Sequence, residues 1–130
     1  MLMQSSQQPK KIPIERALDK YTDMIEDLIP NMPKDIKHTW GQKLLDLDLM
    51  LYELLYTAKE FSCERQRALR KFKNKFFLMQ TILRKAHNKR FVADKPYIKT
   101  FEPASSIERQ LTGWIKALPA SESATADGEC

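Results

Sequence analysis

The chain is short of the residues that build sheets, staples and ligand loops. Three glycines among 130 residues leave no Gly-rich phosphate loop and little of the turn chemistry a β-rich fold requires. β-Branched residues are sparse, and leucine, lysine, glutamate, glutamine and alanine dominate, which favours helix. The two cysteines, Cys63 and Cys130, have no zinc or redox spacing and read as reduced thiols. The two histidines, His38 and His87, stand at no metal-ligand spacing and read as surface or helix-end residues. No uncharged apolar run approaches the ~20 residues of a membrane span. Residues 1–11 are polar, and their charges follow rather than precede any apolar stretch, so they do not form a secretory signal. The expectation is a cytoplasmic protein with no membrane partner.

Catalytic constellations are missing as well. Asp46 and Asp48 lie two apart, which splays them onto different faces of a helix. Glu-x-x-His, a nucleophile elbow and a Cys/His dyad are absent from the sequence. The sequence therefore predicts a non-enzyme with no catalytic residues, metal or cofactor.

What the chain does have is charge of one sign in one place. Between Glu64 and Phe91 stand Arg65, Arg67, Arg70, Lys71, Lys73, Lys75, Arg84, Lys85, Lys89 and Arg90, with no acid among them. This +10 segment sits on a remainder that sums to −5, so the net charge of +5 conceals one cationic element on an acidic body. Like charges at helical spacing repel, so a purely structural face would gain from interspersed glutamates. The acidic residues of the first helix, Glu15, Asp19, Asp23, Glu26 and Asp27, are the available internal neutralisers. A cationic element on an acidic body points to a polyanion, nucleic acid foremost. The expected contacts are Arg67, Arg70, Lys71, Lys73, Lys75, Arg84, Lys85 and Lys89.

Four segments carry helical periodicity. The first, about 13–29, repeats Ile14, Leu18, Tyr21, Ile25 and Leu28, and Pro30 and Pro33 end it. The second, about 37–61, has one stripe of Trp40, Leu44, Leu47, Leu51, Leu54, Ala58 and Phe61. Leu45, Leu49, Tyr52 and Tyr56 form another, so this helix is either central or offers a subunit interface. The third, about 63–88, gathers Leu69, Phe72, Phe76, Met79, Leu83 and Ala86 on one arc, and Phe77, Leu78 and Ile82 interrupt its charged side. Residues 91–102 read as a connection. Ser105 and Glu108 form a capping-box pattern opening a fourth helix over Ile107, Leu111, Trp114, Ile115 and Leu118. Trp40 and Trp114 fall on apolar stripes and read as core. The prediction is an all-α, up-down-up-down four-helix bundle over residues 13–118, with disordered tails at 1–12 and 119–130. Subunit contacts are expected at Leu45, Leu49, Tyr52, Tyr56, Phe77 and Ile82; two stripes fit a dimer as well as a larger ring.

Several local patterns then combine: Leu18-x-x-Tyr21-x-x-x-Ile25-x-x-Leu28, Pro33-Lys34, Thr39-Trp40-Gly41-Gln42-Lys43, Ala58, and Ile107-Glu108-Arg109-Gln110-Leu111-Thr112-Gly113-Trp114-Ile115-Lys116. Together, over residues 14–118, they resemble the four-helix bundle family of accessory variability determinant proteins from diversity-generating retroelements. That family also contains the intervening-sequence proteins found within bacterial ribosomal RNA genes. The chain departs from the pattern at Trp40, where leucine is usual, and at Lys37 and Lys43, where arginine is usual. Glu108 and Thr112 stand where glycines are frequent. The resemblance implies a homopentameric barrel with a positive surface that binds a reverse transcriptase and RNA or DNA. In that role it supports mutagenic cDNA synthesis, the step called mutagenic retrohoming. The alternatives are a ribosomal-RNA-associated bundle without a polymerase partner, and a protein-interaction bundle whose basic face docks an acidic partner.

Overall fold

The computed structural model describes residues 12–119, and every regular element among them is helical. Four long helices carry the fold: α1 (Pro13–Leu28), α2 (Gln42–Glu60), α3 (Arg65–Asn88) and α4 (Phe101–Ala117). α1 packs on α2 and α4, and α3 packs on the same two, so the four enclose a single core. Glu15 meets Lys59, Asp19 meets Tyr52 and Thr22 meets Asp48, which fixes α1 and α2 as antiparallel. The all-α four-helix bundle read from the periodicity is the observed architecture. Of the tails expected at residues 1–12 and 119–130, only Ile12 and Pro119 fall within the described residues.

The helix starts follow backbone chemistry. Pro13 opens α1, where its missing N–H costs nothing, and the Ile12 N–H donates to Glu15 Oε1 at 3.3 Å. Ile14, Leu18, Tyr21, Ile25 and Leu28 are all buried, as their spacing predicts. A 3₁₀ turn, Ile29–Asn31, closes α1 through the first of the two prolines. Helical backbone resumes at Lys34, earlier than expected, directly after Pro33. It passes through a π-helical turn, Lys37–Gly41, before α2 proper begins.

That π turn changes the reading of Trp40. An uninterrupted helix would stack Trp40 above Leu44 on the buried stripe. One extra residue in the turn rotates it outward, and it is half-buried against the core rim. The buried stripe of α2 is Leu44, Leu47, Asp48, Leu51, Leu55 and Ala58. Leu54 is half-buried and Phe61 exposed, correcting two members of the expected stripe. In the second stripe, Leu49 (68%) and Tyr56 (58%) are exposed while Leu45 and Tyr52 are half-buried. Trp114, expected in the core, is likewise half-buried at its edge.

α3 buries Leu69, Phe72, Phe76, Met79, Leu83 and Ala86, the arc its periodicity predicts. Tyr21 and Phe76 meet edge to face at the centre, ring centroids 5.3 Å apart. Cys63, in the 3₁₀ turn Ser62–Glu64, is buried and disulfide-bonded, not the reduced thiol expected; Cys130 lies outside the described residues.

The fourth helix begins earlier than expected and without a serine cap. Residues 91–102 contain a short helix, Asp94–Lys99, and α4 follows from Phe101 after one turn residue, Thr100. Pro96 and Pro103 each occupy a first helical turn, where a proline interrupts no hydrogen bond. Ser105 is thus exposed in the helix body rather than capping it. The buried Thr100 makes the junction, its hydroxyl donating to the Tyr97 carbonyl at 2.7 Å.

Candidate nucleic-acid interface

The side of α3 turned away from the core carries the charge. Arg67, Arg70, Lys71, Lys73, Arg84, Lys85 and Lys89 are exposed and Lys75 is half-buried. Among the described residues no carboxylate forms an ion pair with Arg70, Lys71, Lys73, Lys75, Arg84, Lys85 or Lys89. Two acids of α1 are directed elsewhere. Glu15 pairs with Lys59 of α2 at 3.2 Å, and Asp19 accepts from the Tyr52 hydroxyl at 2.6 Å. For those seven cations the internal neutralisation that α1 could have supplied is therefore not built, and the face keeps its sign.

Two members of the ten-residue run have structural work. The Arg65 guanidinium donates to the carbonyl oxygens of Ala58 and Lys59, at 2.5 and 3.3 Å, and so closes the C-terminus of α2. Arg90 follows α3 with φ of 68°, the left-handed position usually given to glycine. The Phe91 N–H reaches back to the Ala86 carbonyl at 2.8 Å and the Arg90 N–H to His87 at 3.0 Å, a Schellman ending. His87 is a helix-end residue, as its position predicts. It bonds Asp94 at 2.6 Å and stacks on Tyr97, ring centroids 4.2 Å apart.

The cationic face is divided along its length. At about 1.5 Å per residue, Arg67 to Lys75 covers ~12 Å and Arg84 to Lys89 ~7.5 Å, with ~13.5 Å between the groups. Exposed Phe77 (69%) and Leu78 (39%) fill the interval. On the side facing α4, Lys73 shares a shallow groove with Glu108 and Thr112. On the side facing α2, Lys85 and Ile82 line a cleft with Thr39, Trp40 and Lys43. Lys43 thereby extends the positive surface onto a second helix. Sequence reading missed it because a lone lysine on α2 becomes part of the cluster only through the α2–α3 packing.

Of the expected subunit contacts, Leu49, Tyr56 and Phe77 present apolar surface to solvent, while Leu45 and Ile82 are half-buried. Tyr52 is engaged within the chain, its hydroxyl 2.6 Å from Asp19 and 3.2 Å from Thr22 Oγ1. Sequence reading passed over this polar cluster at the α1–α2 seam. The Thr22 hydroxyl donates to both oxygens of the buried Asp48, at 2.9 and 2.8 Å. Burial pushes the Asp48 carboxyl up to about 6, opposed by the Thr22 bond and assisted by the charges of Glu26 and Asp19. Desolvation likewise raises the Tyr21 and Tyr52 hydroxyls well above the usual phenol range. The signal for Asp48 was its position, three residues before Leu51 and four after Leu44 on the buried stripe.

A groove of about 940 Å³ lies between α1 and α4 and mixes signs: Arg16, Lys20 and Arg109 line it with Asp19 and Glu102. Among the described residues no three His, Cys, Asp or Glu side chains gather to hold a metal ion, and no helix is long and apolar enough to cross a membrane. No family model matches the chain, and no curated protein matches it either.

Proposed function

We propose that this bundle is a non-enzymatic, self-associating scaffold that binds nucleic acid through α3. The observation that carries the reading is the one-signed outer face of that helix, where Arg70, Lys71, Lys73, Lys75, Arg84, Lys85 and Lys89 have no carboxylate partner among the described residues. Such lysines and arginines favour phosphate, and their contacts position a polyanion without reading its sequence. Exposed Leu49, Tyr56 and Phe77 supply apolar surface for contacts between copies. Self-association multiplies the charge: five copies at +5 would reach about +25.

The resemblance to accessory variability determinant proteins gives this scaffold its biological setting. In that setting the partners are a reverse transcriptase and RNA or DNA, and the bundle supports mutagenic cDNA synthesis while the polymerase supplies the chemistry. The test is charge reversal. Arg70→Glu, Lys73→Glu and Lys85→Glu together abolish nucleic-acid binding at about 150 mM salt and leave the far-ultraviolet circular dichroism unchanged. Binding that survives the triple reversal contradicts the reading.

A further inference from the structure

The cleft between the start of α2 and the last turns of α3 is set apart by its chemistry. It holds about 320 Å³ and is lined by Thr39, Trp40, Lys43, Ile82 and Lys85. That volume lies at the small end of the ~300–1,000 Å³ span of ligand pockets, room for one planar ring system. Its wall is apolar, formed by the Trp40 indole and Ile82. Its rim carries the exposed Lys43 and Lys85, and no acid lines it.

The indole is held in place from behind. Phe91 meets Trp40 edge to face, ring centroids 5.6 Å apart and planes at 90°. Phe91 is itself fixed by its backbone bond to Ala86 at the Schellman ending of α3. The π turn keeps Trp40 out of the core, and Gly41 lets that turn sit directly against Ile29. A large aromatic braced at an apolar slot that the stems of two exposed lysines also line is a stacking platform, with the flexible lysine side chains as its phosphate anchors.

We propose that this cleft stacks one unpaired nucleobase on Trp40 while Lys43 and Lys85 hold the flanking phosphates. The cationic face therefore prefers single-stranded over duplex nucleic acid. The proposal rests on the nucleic-acid reading of α3 and adds selectivity to it. A paired base offers no free ring face to a protein cleft, whereas a splayed base does. Phosphate contacts alone do not make that distinction.

The experiment uses the full chain and fluorescein-labelled oligonucleotides of one sequence, single-stranded and duplex, read by anisotropy at about 150 mM salt. The single strand is expected to bind about tenfold more tightly than the duplex, the scale of one base–aromatic stack. Trp40→Leu is expected to erase that preference, and Trp40→Phe to retain part of it. In a Trp114→Phe background, where Trp40 is the sole tryptophan, unlabelled single strand is expected to quench emission more than duplex does. The quenching readout does not depend on the folding of any Trp40 variant. Equal affinities with no quenching overturn the cleft proposal while leaving salt-sensitive binding by α3 intact. No binding of either form overturns both.

Discussion

Gly41 and Gly113 occupy helical backbone with opposite surroundings. A Cβ added at Gly41 would stand 2.9 Å from Ile29 Cγ2 and 3.7 Å from Met32 Sδ, so the close approach of the π turn to the end of α1 requires glycine. At Gly113 nothing lies within 4 Å, and the glycine only adds unfolded-state entropy. Gly41→Ala is expected to cost about 1–3 kcal/mol through overpacking. Gly113→Ala is expected to gain about 0.5–1 kcal/mol. Urea midpoints of the two variants should move in opposite directions; a shift of the same sign would contradict the assignment. Arg90 shows the same logic in reverse, a side chain held where glycine would sit without strain.

At the scale of the helices, α1 and α2 are joined by a polar seam inside an otherwise apolar interface. Thr22, Asp48, Tyr52 and Asp19 form one hydrogen-bonded chain across it. Because the Asp48 carboxyl is raised to about 6, the folded chain holds a proton that the unfolded chain releases near pH 4. Its contribution is fully present below that lower value and is lost as pH rises through the higher one. An asparagine in its place could still accept the Thr22 hydroxyl but could not ionise. Asp48→Asn is expected to stabilise the fold by about 1–3 kcal/mol at pH 8 and to change little at pH 4. Thermal melts across that range decide it: an equal shift at both pH values would mean that the carboxylate charge is not the cost.

The helices whose apolar residues keep one phase were legible from sequence. α1 and α3 bury the residues their spacing named, because in each one apolar set holds the three-and-four spacing over the whole helix, and the exposed Phe77 and Leu78 of α3 fall outside it. α2 was harder: Leu54 and Leu55 offer two phases, and only packing chooses Leu55. α4 was misplaced at its start because residues 91–102 were read as a connection and Ser105 as the cap, although Pro96 and Pro103 each fit a first helical turn. The charged face of α3 was legible outright, since ten like charges cannot be buried together. The Trp40 cleft was not, because the local π turn and the α2–α3 packing create it jointly.

The molecule as a whole divides its surface by chemistry. Leu49 and Tyr56 leave α2 with apolar surface that a lone protomer does not cover, while α3 turns its cations outward. Light scattering should give a mass that is a multiple of one chain. Leu49→Asp with Tyr56→Asp should reduce it to a single chain without loss of helicity; a parent protein that is already monomeric would contradict self-association. Binding through α3 is electrostatic first. The most direct measurement is the affinity of the full chain for a labelled single-stranded oligonucleotide, followed across a salt series. About six lysine and arginine contacts to phosphate predict a log–log slope of about −4, at roughly 0.7 counterion released per phosphate neutralised. A slope near zero, or no binding even at low salt, would contradict the assignment of α3 as a nucleic-acid interface.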